Sequence, residues 1–182
     1  MKIVETGFKG LTIIKPSVFT DSRGYFFESF NQASVDNSGL IFSPVQDNES
    51  KSVKGVIRGL HYQLQPYPQA KLIRVVMGRI LDVALDIRKD SLTFGKWFGI
   101  ELDSENKDQL LIPHGFAHGF SVLSEIAVIQ YKCDSPYNPK FERGINLNDP
   151  ALDIYWKLGS TLPIISDKDL AQPLFKDAEY NF

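Results

Sequence analysis

Leu81-Asp82-Val83-Ala84-Leu85-Asp86-Ile87-Arg88 alternates with a period of two: Leu81, Val83, Leu85 and Ile87 fall on one side of an extended chain, and Asp82, Ala84, Asp86 and Arg88 on the other. The pattern predicts a half-buried strand. Outward from it, Lys71 to Val76, Trp97 to Leu102 and Ala127 to Cys133 are rich in β-branched or aromatic residues, and Met77-Gly78-Arg79 and Ser104-Glu105-Asn106 read as turns. Many short strands at close spacing predict an all-β sandwich or barrel. Helix signals are few. A short helix is expected after Asn31, and another at Ser166, whose hydroxyl can cap the turn containing Asp169. From Asn148 to Phe182 the chain is broken by Pro150, Gly159, Pro163 and Pro173, which predicts turns and short helices packing back onto the strands. Such a segment can carry a catalytic group into a barrel mouth.

The 182 residues suit one domain spanning 1–182 with a real apolar core. Twenty Lys and Arg against 22 Asp and Glu leave a formal charge of -2, which argues against a broad basic surface, so neither nucleic acid nor membrane is expected as a partner. Cys133 stands alone, so no intrachain disulfide can form, and the chain carries no signal-like or long apolar stretch. A cytoplasmic location is expected.

Only three histidines are present, His61, His114 and His118. In Arg58-Gly59-Leu60-His61, residues 58 and 61 point to opposite sides of a regular strand, unless Gly59 bends the backbone; a bulge there would let both face one pocket. His61 taken alone fits a hydrogen-bonded structural histidine equally well. His114 and His118 have the spacing of metal ligands on a helix, yet Pro113, Gly115 and Gly119 oppose a helix there, so no metal is expected. Tyr131 shares a strand face with Ala127, Ile129 and Cys133, which suits either a core tyrosine or an acid. Lys71 begins a strand, as a solvated edge charge or as an inward cation able to stabilise an enolate. Arg23 and Arg58 offer guanidinium forks for a diphosphate, and Gln46-Asp47-Asn48 supplies amides for a base or sugar.

Taken together, Asp21-Ser22-Arg23-Gly24-Tyr25-Phe26-Phe27-Glu28, Gln46-Asp47-Asn48, RGLHYQ, the run from Lys71 to Leu102, IPHGFAHGF and YKCDSPYNP resemble the dTDP-4-dehydrorhamnose 3,5-epimerase family nearly end to end. The resemblance implies a homodimeric cupin-type β jelly roll with a few short peripheral helices, acting without metal or organic cofactor on a dTDP-linked 4-keto-6-deoxy sugar in rhamnose precursor synthesis. Carried across by motif, His61 looks like the family's base, Asp169 its orienting carboxylate, Tyr131 the acid and Lys71 the enolate-steadying lysine. Arg23, Glu28, Gln46, Asn48, Arg58, His118, Glu142 and Lys168 match substrate-binding positions, with Asp47 in the same run and Tyr137 as the aromatic that stacks on thymine. A hydrogen beside a ketone is weakly acidic, so its removal needs a close base and stabilisation of the oxygen that becomes negative. The alternatives are a 3-epimerase on the same or a related nucleotide 4-keto-sugar, a non-catalytic nucleotide-sugar-binding cupin, and a metal-dependent oxygenase of similar architecture.

Overall fold

In a computed structural model describing residues 1–182, the elements in chain order are β1 (Lys2–Glu5), β2 (Thr12–Lys15), β3 (Phe19–Asp21), β4 (Gly24–Phe26), α1 (Gln32–Asn37), β5 (Gln46–Val53), β6 (Ile57–Gln63), β7 (Lys71–Met77), β8 (Arg79–Asp86), β9 (Trp97–Asp103), β10 (Gln109–Ile112), β11 (Phe116–Val122), β12 (Ile126–Cys133), β13 (Glu142–Gly144) and α2 (Asp167–Leu170). The β1-β2-β10-β7-β12-β5 sheet faces a second sheet ordered β13-β6-β11-β8-β9, and β3 and β4 form a separate ribbon. From β5 to β8 and again from β9 to β13 each strand passes to the other sheet, giving the double-sheet jelly roll expected. Gly78 makes one such crossing between β7 and β8 at φ +81°, where an added Cβ would lie 2.1 Å from the Ile126 carbonyl oxygen. Only glycine fits that corner.

The pairing places alternate residues on the inner and outer sides of each sheet. Ile73 and Val75 of β7, Ile80 and Ala84 of β8, Leu102 of β9 and Ile129 of β12 fill the space between the sheets. Leu81, Val83, Leu85 and Ile87 point the other way, where Ile145, Leu147, Leu152 and Trp156 cover them. Ile14, Leu72 and Leu111 on the outside of the six-stranded sheet are covered by Val35 of α1 and by Phe42.

The expectation of a half-buried strand at residues 81–88 is therefore corrected: every residue of β8 after Arg79 is buried. The alternation holds, but the apolar face looks outward to the C-terminal layer, and Asp82 and Asp86 look into the sandwich. Both carboxylates are tolerated there because they are paired, since a buried charge without a partner would be strongly destabilising. Asp86 accepts from the Arg88 guanidinium at 2.7 Å and from the Ser91 and Thr93 hydroxyls at 2.6 Å each. Burial pushes the Asp86 carboxyl up, and these bonds more than reverse it, leaving it below the usual carboxylate range.

Both expected helices form. The Asn31 side chain accepts from the Ser34 N–H at 3.2 Å and the Ser166 hydroxyl from the Asp169 N–H at 3.2 Å, caps worth about 1 kcal/mol each. The segment after Asn148 packs back on the outer face of the five-stranded sheet, tied by the Trp97 indole to the Leu152 carbonyl at 2.9 Å and by the Phe175 N–H to Asp149 at 2.6 Å. No helix is long and apolar enough to cross a membrane.

Candidate active site

Between β6 and β11, His118 pairs with His61 and Phe120 with Arg58, so four residues of β6 span three of β11. Gly59 sits at this bulge with φ +133°, and a Cβ there would be 2.5 Å from the Gly119 Cα. The consequence is the one the sequence suggested. Arg58 and His61 both face the space between the sheets and line one cavity.

That cavity has two lobes. One, of about 290 Å³, is lined by Ser50, Arg58, His118, Lys168 and Asp169; the other, of about 310 Å³, by Gln46, Asn48, Gln63, Gln69, Tyr137 and Glu142. His61, Lys71 and Tyr131 line both, so they stand at the junction. His61 rises from the five-stranded sheet, and Lys71 and Tyr131 from the six-stranded sheet opposite.

His61 Nε2 lies 2.7 Å from Asp169 Oδ1 across 108 residues of chain. The His61 side chain keeps 29% of its surface open to the cavity, and that of Asp169 only 5%. Burial pushes the Asp169 carboxyl up, but hydrogen bonding and charge from His61, together with the Ser166 bond, hold it below the usual carboxylate range. The C-terminal segment delivers it: Ile164 bridges Val56, with its N–H on the Gly55 carbonyl at 2.8 Å, and the cap at Ser166 then starts α2. Gly144, opposite His61 in the β13–β6 ladder, leaves room for Gln172, whose amide holds the Lys168 carbonyl at 3.1 Å.

Each histidine meets a different aspartate. His118 Nε2 is 2.6 Å from Asp82 Oδ1, and His114 Nε2 is 2.8 Å from Asp134 Oδ2, so the spacing of His114 and His118 serves two separate pairs. No cluster of three or more His, Cys, Asp or Glu side chains has a metal-binding arrangement. Asp82 was missed by sequence reasoning, which placed it on an exposed face. Its Oδ2 is buried with no hydrogen-bond partner, and its charge acts on Lys71.

Lys71 is pushed below the ordinary lysine range by burial, opposed by the nearby charges of Asp82 and Glu142. Burial also raises the Tyr131 phenol and takes the Cys133 thiol up to about 11, which leaves that thiol protonated and unreactive at neutral pH. In the second lobe, Glu142 accepts from the Tyr137 hydroxyl at 2.8 Å and from Lys168 at 2.7 Å, and the Gln46 side-chain oxygen accepts the Tyr137 N–H at 2.8 Å. A half-exposed aromatic ring thus stands beside the Gln46 and Asn48 amides, an arrangement suited to stacking and reading a planar base.

Three sequence candidates are not at this cavity. Asp47 falls on the outer side of β5, as its position between Gln46 and Asn48 dictates, and pairs with Lys132 at 2.6 Å. Arg23 projects from the β3–β4 ribbon, paired with Asp21 at 2.6 Å and 88% exposed. Glu28 accepts from Asn31 at 2.9 Å beside a separate pocket near Met1 and Phe30.

A family model described as dTDP-4-dehydrorhamnose 3,5-epimerase matches residues 5–177. A dTDP-4-dehydrorhamnose 3,5-epimerase of Shigella flexneri is 51% identical over 181 residues, 99% of each chain. The crystal structure of the enzyme of that name from Elizabethkingia anophelis superposes with a TM-score of 0.91 at 50% identity over 97% of both chains. A Legionella pneumophila epimerase solved with dTDP-4-keto-L-rhamnose gives 0.92 at 47% identity, covering 96% of this chain and 93% of its own.

Proposed function

The chain belongs to the dTDP-4-dehydrorhamnose 3,5-epimerase family, and from that premise we propose how its cavity performs the reaction. The enzyme converts dTDP-4-dehydro-6-deoxy-D-glucose to dTDP-4-dehydro-L-rhamnose, in dTDP-rhamnose biosynthesis, by inverting carbons 3 and 5. The observation that carries the mechanism is the His61–Asp169 pair at 2.7 Å, set between Lys71 and Tyr131 on the facing sheet.

Carbons 3 and 5 flank the ketone at carbon 4, so loss of either proton gives an enolate with its charge on the same oxygen. His61 takes the proton, and Asp169 holds the ring and balances the imidazolium that results. The Lys71 ammonium supplies positive charge where the enolate oxygen develops. Because Tyr131 approaches from the opposite sheet, a proton it delivers arrives on the other face of the flat carbon and inverts it. Its burial-raised pKa keeps the phenol protonated and ready to donate. One base serves both carbons if the ring turns between the two steps.

The thymine is assigned to the lobe of Tyr137, Gln46 and Asn48, with Glu142 and its partner Lys168 at the edge, and the diphosphate to Arg58 in the adjoining lobe. His118, held by Asp82, reaches the sugar. No organic or metal cofactor has a step in this scheme. The assembly is assigned as a homodimer, for a specific reason: Arg23 and Glu28 match substrate-binding positions yet lie outside their own chain's cavity. The β3–β4 ribbon carrying Arg23 exposes Phe19, Tyr25 and Phe26, each more than half open, as a segment reaching into a second copy would. A single cytoplasmic domain spanning 1–182 is consistent with the same reading.

Proton NMR in deuterated water with the dTDP-linked 4-keto-6-deoxyglucose tests the reaction. Label is expected at both carbons. Label at carbon 3 alone would instead identify a 3-epimerase, and a complete lack of exchange would refute both.

A further inference from the structure

On the inner side of the six-stranded sheet β5 presents a stripe of alternate residues, Gln46, Asn48, Ser50 and Ser52, of which the first three line the cavity. Three of the four are engaged within the protein. Gln46 donates to Asn48 at 3.0 Å and Ser52 accepts from the Arg58 guanidinium at 3.2 Å. Ser50 is the exception. Its Oγ is buried and has no hydrogen-bond partner, although it lines the lobe that holds Arg58, His118 and the His61–Asp169 pair.

A buried hydroxyl left unpaired destabilises the folded chain, and an alanine would fill the same space without that cost. Polar groups held unsatisfied in this way are expected where a ligand completes them. Ser50 lines only the lobe containing the dyad and is absent from the lobe of Tyr137, which places it beside the sugar rather than the base. A serine needs only a hop between χ1 wells to swing its hydroxyl into the cavity. We propose that Ser50 is a further substrate-contacting residue, whose hydroxyl hydrogen-bonds an oxygen of the keto-sugar ring and helps distinguish a sugar nucleotide from the nucleotide alone. The neighbouring Ser52 acts differently, positioning Arg58 by accepting from its guanidinium.

This assignment rests on the epimerase reading, so the parent enzyme is assayed first for solvent exchange into the keto-sugar nucleotide. Absence of exchange there sinks the epimerase reading itself. With exchange established, Ser50→Ala is compared with the parent in kcat/KM for the keto-sugar nucleotide, in the inhibition constant of dTDP and in the melting temperature of the unliganded protein. A single hydrogen bond to the sugar predicts a fall in kcat/KM of about 3- to 12-fold. The dTDP constant should stay within about twofold, and the unliganded protein should melt no lower than the parent. Unchanged kcat/KM overturns the proposal. So does a dTDP constant that weakens in step with kcat/KM, which would give the hydroxyl to the diphosphate, or a lower melting temperature, which would make it a structural bond.

Discussion

Asp169→Asn isolates what the carboxylate gives to His61, because it keeps the size of the side chain and removes its charge. The two groups are 2.7 Å apart between nitrogen and oxygen, and the Asp169 side chain is only 5% exposed. With charge centres about 4 Å apart and an effective dielectric near 20, the attraction between a carboxylate and the imidazolium formed on proton abstraction is about 4 kcal/mol. The His61 side chain is 29% exposed, so solvent screening reduces this to roughly 3 kcal/mol. The asparagine amide can also turn its NH2 toward Nε2, which would occupy the ring with the wrong hydrogen-bond partner. Together these predict a fall in kcat of about 10²- to 10⁴-fold, the range usual for positioned general-base catalysis. KM should change little, since Arg58, Tyr137, Gln46 and Asn48 are untouched. The assay is epimerisation followed by NMR in deuterated water, with circular dichroism melting to show that the variant is folded. A folded variant whose kcat stays within about threefold of the parent would refute the role given to Asp169.

Tyr131→Phe should let His61 continue exchanging solvent deuterium into the substrate while inverted product falls about 10²- to 10⁴-fold; loss of exchange in parallel with inversion would give the tyrosine a different role. Lys71→Met should lose activity yet be more stable than the parent at pH 7. The folded-state pKa of Lys71 lies below its unfolded value of about 10.4, so the unfolded chain binds more protons between the two values, and stability rises with pH there. The ammonium is therefore a cost at neutral pH, and denaturation midpoints should show the advantage of the variant closing as pH climbs through the depressed value. Gly59→Ala places a Cβ 2.5 Å from the Gly119 Cα at φ +133°, and should lower stability by about 2–5 kcal/mol in urea melts, with activity lost through displacement of Arg58 and His61. Arg23→Ala and His61→Asn, each inactive alone, should regain about a quarter of parental activity after subunit mixing if Arg23 serves the partner's cavity; no recovery in a mixed dimer would place Arg23 elsewhere.

How much of this was legible in the sequence depended on the range of the interaction. The bulge could be read at Gly59 because its cause is local: two side chains three residues apart must share a face. The caps at Asn31 and Ser166 were legible for the same reason. Alternation in residues 81–88 correctly separated the two faces of β8, but it records chemical character and not what covers each face, so a strand buried on both sides looked half-exposed. Asp82 was lost in that error. The contact between His61 and Asp169 spans 108 residues, and no local signal carries it; only family resemblance suggested it. Asp47 was assigned with its neighbours as a run, although a period of two puts it opposite Gln46 and Asn48. Arg23 and Glu28 match a pattern of residue types, and that pattern does not record that their own chain's cavity lies elsewhere.

The arrangement also explains why the apolar side of β8 matters to chemistry it never touches. Leu81, Val83, Leu85 and Ile87 form the floor on which Ile145, Leu147, Leu152 and Trp156 settle, and full burial of such side chains contributes about 1.5–3 kcal/mol each. Docked there, the chain beyond β13 has little choice of path: Ile164 meets Val56 beside β6, and α2 begins just after Ser166. That path brings Asp169 from the outer layer round to the cavity wall against His61, while the inner side of the same β8 sets Asp82 against His118. A single strand, buried on both faces, thus supports two of the three histidine–aspartate pairs in different ways, one through a packed outer layer and the other through a direct bond. The outer layer is held by apolar contacts far from the cavity. Catalytic geometry at His61 therefore depends on packing on the opposite side of the sheet, and Asp169 stays in register only while that layer remains docked.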